Sequence, residues 1–169
     1  MNSKFPIYIS GETIFSSSQK AFSIQDSKDL GEKSSKITYS EFEAFYLIET
    51  NQAEIIKNNK TLSEEQILKL FSKKDKLFSI KYPVFKALRK KGYIVKTGSK
   101  FGAEFRVYDP KLTTKHAKWL VFPVKQSNNI NTKELISKSR IAHSTAKKLL
   151  LALVENNDVL FYEIEWLKI

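Results

Sequence analysis

Apolar and polar residues alternate along this chain with two periods, and the change of period marks its elements. Period two comes first: within residues 1–25, "FPIYIS", "TIFSS" and "AFSI" are predicted as short strands, and the polar stretch "QDSKDLGEKSSK" as the loop after them. Period 3.6 takes over in "YSEFEAFYLIET", where Phe42, Phe45, Tyr46 and Glu49 share helical spacing. Ser40 with Glu43 forms a capping box, in which the serine oxygen takes a first-turn amide while the glutamate reaches back. "LSEEQILKLFSKKD" repeats the device with Ser63 and Gln66, ahead of an apolar stripe of Ile67, Leu70 and Phe71. The lysine-rich "SKKDK" predicts a boundary, giving a small α+β domain over 1–75 and a second domain over 76–169.

In the second domain "KYPVFKALRKKG" predicts a helix stopped by Gly92, with Val84, Phe85 and Leu88 inward and Lys86, Arg89, Lys90 and Lys91 solvated. "YIVKT" and "FGAEFRVY" form a hairpin, and "KHAKWLVFPV" is a further strand. Asn131 and Glu134 cap a short helix, "TKELISK". A longer helix is expected through "HSTAKKLLLALV", its buried stripe made of Ala142, Ala146, Leu149, Leu150 and Leu153. The final strand, "VLFYEIEWLKI", puts Leu160, Tyr162, Ile164 and Trp166 on one face and Val159 and Phe161 on the other, as suits a central strand or a seam between subunits. The expected class is α/β in the α+β sense, with a central mixed sheet flanked by helices in the second domain.

Charge narrows the partners. Lysine plus arginine number 29 against 18 acidic residues, a net +11, which favours a polyanion. Only Arg89, Arg106 and Arg140 are arginines; the rest of the positive charge is lysine. The absence of cysteine excludes disulfide scaffolds and thiol nucleophiles and suits a reducing cytosol. With two histidines and no tight carboxylate cluster, no metal or other cofactor is expected. No apolar run is long enough to span a bilayer, and "MNSKFPIYIS" has no signal-peptide core, so the expectation is a soluble cytoplasmic protein with no membrane partner.

Strand alternation sets Phe101, Ala103, Phe105 and Val107 on the core face and Gly102, Glu104, Arg106 and Tyr108 on the polar one. Tyr108 fits an ordinary rim tyrosine. His116, opening the next strand eight residues on, fits a polar edge residue, and His143 is its rival. On the expected long helix Lys148 points away from the buried stripe, while Lys147 on its flank can bury its stem and aim its amine into a cleft. Together such groups suffice to cleave RNA. A base takes the 2′-hydroxyl proton, an acid protonates the leaving 5′-oxygen, and a cation steadies the phosphorane charge. Histidine suits the acid; tyrosine serves as base when a cation lowers its pKa. Spacing alone does not bring the three together.

The longer motifs carry a resemblance. "YPVFKALRKKGYIVKTGSKFGAEFRVYD", "HAKWLVFPV", "SRIAHSTAKKLLLALV" and "FYEIEW" resemble the catalytic domain of archaeal tRNA-splicing endonucleases, and "YSEFEAFYLIETNQAEI" with "LSEEQILKLFSKKD" resembles their N-terminal domain. The resemblance implies Tyr108 as general base, His116 as general acid and Lys147 as transition-state cation. It implies metal-independent cleavage of precursor tRNA at a bulge–helix–bulge, leaving a 2′,3′-cyclic phosphate and a 5′-hydroxyl. It matches Arg140 to an arginine that stacks on a bulged base. No arginine follows to complete a clamp, and Trp166 or Lys168 would have to stand in. It further implies an assembly, a homotetramer or a heterotetramer with a homologous structural subunit. Tyr162 and Trp166 would lie at the strand seam, and Glu155 and Asp158 of "ENND" in an acidic turn that docks on a neighbour; a plain exposed hairpin turn explains "ENND" equally well. Two other functions fit parts of the chain: a noncatalytic RNA-binding subunit of the same complex, and a winged-helix DNA-binding regulator whose recognition helix would be the leucine-rich segment.

Overall fold

The computed structural model describes residues 4–112 and 116–167. It is a mixed α/β protein that divides into two compact units, Met1–Phe78 and Ser79–Ile169.

In the first unit, strands β1 (Phe5–Ser10), β2 (Thr13–Ser16), β3 (Glu32–Lys33), β4 (Ile37–Tyr39), β5 (Ala53–Lys57) and β6 (Lys60–Thr61) form one sheet in the order β3-β4-β2-β1-β5-β6. β1 and β5 pair in parallel and the other neighbours antiparallel. The segment expected as a third strand, "AFSI", instead lies in helix α1 (Gln19–Lys28). Ser18 caps it by accepting from the Ala21 amide, and Ala21 and Ile24 are its only buried positions, so its apolar signal is weak. Helices α2 (Glu41–Glu49) and α3 (Glu64–Lys74) begin with the two expected capping boxes, each with both reciprocal hydrogen bonds present. Glu43 does more than cap. Buried in the core, its carboxylate accepts from the Ser40 amide and hydroxyl and from the Gly31 amide at 3.0 Å. Gly31 has φ +85° and no room for a side chain, since a Cβ would come within 2.4 Å of Ile37.

Helix α4 (Phe78–Lys90) begins three residues before the expected "KYPVFK" segment, with Pro83 inside it. Phe78 is fully buried. Its ring stacks on Phe42 (centroids 5.1 Å apart, planes 4° apart) and meets Phe45 and Phe71, each at 5.7 Å. Truncation would leave a cavity among three rings, so Phe78→Ala is expected to cost roughly 3–5 kcal/mol. Urea unfolding followed by circular dichroism checks it; a midpoint close to wild type would show that the cluster contributes little.

The second unit is built on a five-stranded sheet, β11-β10-β9-β8-β7, made of β7 (Ile94–Thr97), β8 (Phe105–Tyr108), β9 (Trp119–Lys125), β10 (Lys148–Glu155) and β11 (Asp158–Ile164). β9 and β10 are parallel and the other pairs antiparallel. The returning strand is shorter than its alternation suggested: Ser99–Phe101 form a turn of 3-10 helix and pairing starts at Phe105. His116 does not open β9; it lies in a bend three residues ahead of it.

The largest departure is in "HSTAKKLLLALV". A single helix, α5 (Thr132–Ser144), replaces the two expected and keeps the Asn131 cap. Ala146, at φ +54°, turns the chain out of it, and residues 148–155 are strand β10. Leu149, Leu150, Leu151, Ala152 and Val154 are all buried, so both faces of β10 are covered. A run apolar on both faces is what a central strand next to a parallel neighbour requires, and leucine's helix propensity is overridden by that packing. His143 accordingly sits at the end of a helix rather than at the start of one, and the stripe assigned to Ala142, Ala146, Leu149, Leu150 and Leu153 does not exist as a helical face. The supposed recognition helix of the winged-helix alternative is this strand.

β11 is an edge strand rather than a central one. It joins β10 through Asn156 and Asn157, both at positive φ, as a two-residue hairpin turn demands. Glu155 and Asp158 flank that turn as exposed Cα partners. No helix among the described residues is long and apolar enough to cross a membrane.

Candidate active site

Three neighbouring strands bring the candidate residues to one end of the second sheet. Val107 of β8 is the Cα partner of Trp119 of β9, which is the partner of Lys148 of β10. The Lys118 amide donates to the Val107 carbonyl (2.8 Å), and the Lys148 amide to the Lys118 carbonyl (2.9 Å). Tyr108, His116 and Lys147 all lie just beyond this row: one residue after Val107, three before Trp119 and one before Lys148. Adjacent strands are about 4.8 Å apart, so the three strand ends fall within a span of roughly 10 Å.

Register also decides which side of the sheet Arg106, Tyr108 and the two lysines take. Leu120 and Leu149, partners across β9 and β10, belong to the core cluster under α5 together with Phe122, Leu151 and Ala142. Arg106 is Leu120's partner on β8, so Arg106 and Tyr108 share that face by alternation. Lys147 reaches the same side: its Nζ lies 4.7 Å from the ring centre of Phe101, which packs against that cluster, and donates to the Thr145 carbonyl (2.8 Å). An ammonium has three donors, so two are left over from that bond. Lys148 is on the opposite face, held by Glu163 (2.6 Å) and Glu165. The distinction between the two lysines thus comes from a strand with two faces, not from the helical wheel the sequence suggested.

Electrostatics separates the faces further. Hydrogen bonding to Glu163, then to Glu165, pushes the Lys148 ammonium up to about 12. Glu163 is held below its ordinary range, first by Lys148 and then by the Trp119 indole, which donates to it at 2.6 Å. Because the folded value of Glu163 lies below the unfolded one, its stabilisation is present above the ordinary glutamate range and fades as pH falls through the folded value.

The other candidates are placed as follows. Arg140 is exposed in the third turn of α5. Tyr162 and Trp166 are about half exposed, at 51% and 53%, and Leu160 beside them at 53%. Trp166 meets the His143 ring edge-on at 4.8 Å. Lys168 lies outside the described residues, as do residues 113–115 of the loop between Tyr108 and His116. Among the described residues no three His, Cys, Asp or Glu side chains gather as a metal site would need. Two further cations lie near Tyr108. The Arg106 guanidinium carbon is 5.8 Å from its ring centre, and Lys118 lies 3.9 Å from Asp109 and over the Trp119 ring. The alternation that puts Arg106 on the same face as Tyr108 is the available signal for it.

The amino-acid sequence matches known proteins. The family model for the tRNA intron endonuclease catalytic C-terminal domain matches residues 78–162. A tRNA-splicing endonuclease of Pyrococcus abyssi is 37% identical over 171 residues, covering 99% of each chain. Those of Thermococcus onnurineus and Nanoarchaeum equitans are 38% identical over 163 residues (95% of each chain) and 41% over 134 residues (75% of this chain, 86% of theirs). The chain belongs to the tRNA-splicing endonuclease family.

Proposed function

We propose that this protein is the catalytic subunit of a tRNA-intron endonuclease that cuts precursor tRNA at bulge–helix–bulge junctions through the 2′-hydroxyl, without a metal ion. The observation that carries the reading is the shared register row of β8, β9 and β10, which ends in Tyr108, the His116 bend and Lys147 at one rim of the sheet. The phenolate of Tyr108 removes the 2′-hydroxyl proton, and the freed 2′-oxygen attacks phosphorus. The bond from phosphorus to the 5′-oxygen breaks as the His116 imidazolium gives that oxygen its proton. The Lys147 ammonium lies against the non-bridging oxygens, where charge develops. Products are a 2′,3′-cyclic phosphate and a 5′-hydroxyl.

Arg140, exposed on α5, offers a planar cation on which a bulged base can stack. Two bulges need two sites and so at least two catalytic chains; the family resemblance extends this to a tetramer, either of identical chains or with a homologous structural subunit. The unpaired edge of β11, with Leu160, Tyr162 and Trp166 exposed beside it, supplies a seam, and the acidic turn at Glu155 and Asp158 a projection for a basic neighbour. The rival reading, a noncatalytic RNA-binding subunit, is disfavoured by the presence of all three catalytic side-chain types at that rim.

End-group analysis tests the reaction. Precursor tRNA cleaved in excess chelator is expected to leave 3′ termini that resist ligation until the cyclic phosphate is opened and the resulting monophosphate removed, together with 5′ ends that a kinase labels directly. Cleavage abolished by chelator, or 5′-phosphate products, would overturn it.

A further inference from the structure

We infer that Arg106 is a phosphate-binding residue that grips the RNA backbone beside the bond being cut; the inference rests on the cleavage site proposed above. Arg106 sits in β8 two residues before Tyr108, half-buried, its guanidinium 5.8 Å from that ring. Its Nε is buried and, among the described residues, has no hydrogen-bond partner. The carboxylates nearest in sequence are turned elsewhere: Glu104 pairs with Lys81 (3.0 Å), and Asp109 faces Lys118. Directly across the strand pair stands a second cation, Lys96, and on the other side the apolar Leu120. A buried guanidinium donor with no acceptor is destabilising. Arginine is also a poor choice for filling space next to a core cluster. The two terminal nitrogens of its planar guanidinium match a phosphate with two parallel hydrogen bonds. The geometry therefore leaves a directed anion site one step along the sheet face from Tyr108, which an RNA phosphate adjoining the scissile one would occupy.

The test uses a bulge–helix–bulge precursor made uncleavable by a 2′-deoxy nucleotide at the scissile position. Single neutral methylphosphonates are introduced at each phosphate flanking that bond. With the wild-type protein, one of these positions is expected to weaken binding about tenfold or more. Arg106→Gln is expected to weaken binding of the unmodified RNA by a similar factor, to lose nothing further at that position, and to flatten the plot of log Kd against log salt by about 0.7–0.9. Arg106→Lys should keep the wild-type salt slope but show a smaller loss at the same methylphosphonate, because the charge stays and the fork is gone. Thermal unfolding of both variants checks the fold. If Arg106→Gln does not fold, the lysine variant and the wild-type scan carry the test. The inference is overturned if no flanking methylphosphonate weakens the wild type, if Arg106→Gln keeps the wild-type sensitivity and slope, or if Arg106→Lys loses as much as the wild type at that position. Every readout is binding to uncut RNA. A failure of the cleavage chemistry, seen in the end groups, is therefore distinguishable from a failure of this contact.

Discussion

His116→Ala is expected to lower the single-turnover cleavage rate by roughly 10²–10⁴-fold, the range that a positioned general acid supplies. Affinity for uncleaved precursor should stay within a few-fold, and so should the unfolding midpoint, because His116 is exposed in a bend outside the paired strands and removes no core contact. The loss should be largest where the imidazolium matters most. A substrate whose 5′-leaving oxygen is replaced by sulfur leaves without a proton, so it should recover most of the lost rate with the variant. An unaltered rate on the natural substrate would remove the histidine from the mechanism. A large rate loss that the thio-substrate does not rescue would make it a binding residue.

Lys147→Ala is expected to lower the rate by about 10²–10³-fold, as loss of one charge-stabilising donor does, while Lys148→Ala leaves it within a few-fold. The contrast matters because the residues are adjacent, chemically identical and separated only by the faces of the sheet. Lys147 lies on the α5 side, over Phe101; Lys148 is on the other side, between Glu163 and Glu165. Lys148→Ala should cost little stability, since partly exposed ion pairs contribute little. Equal effects of the two substitutions on the chemical step, measured under single turnover with saturating enzyme, would contradict the assignment of faces.

Much of this arrangement was legible because it rests on local spacing. The capping boxes at Ser40/Glu43 and Ser63/Gln66 satisfy backbone amides within one turn, so a few residues state the whole device. Two-residue alternation put Arg106 and Tyr108 on one face, but the face it reads as polar is the one that carries Leu120 and Leu149 of the core cluster, where Phe101 and Ala103 also pack. What failed depended on partners distant in sequence. Residues 149–154 are apolar without a usable period, and only β9 and β11 on either side decide that they form a strand. Lys147 was singled out on a helix that does not exist; what separates it from Lys148 is the pairing of Leu149 with Leu120 and of Leu150 with Val121. α1 was missed because Ala21 and Ile24 alone are too few to make a stripe. The distinctive feature of Arg106, the lack of an acceptor at its Nε, is a property of the packed sheet that no short motif carries.

The convergence of phenol, imidazole and ammonium on one phosphodiester is tested most directly by a crystal structure of the protein bound to the 2′-deoxy precursor. The expected result is a single scissile phosphate with the Tyr108 oxygen facing the 2′ position, the His116 ring on the opposite side near the 5′-oxygen, and Lys147 Nζ on a non-bridging oxygen, each within about 2.6–3.2 Å or one water of its target. An RNA strand seated elsewhere on the sheet, or a scissile phosphate that only one of the three can reach, would contradict it.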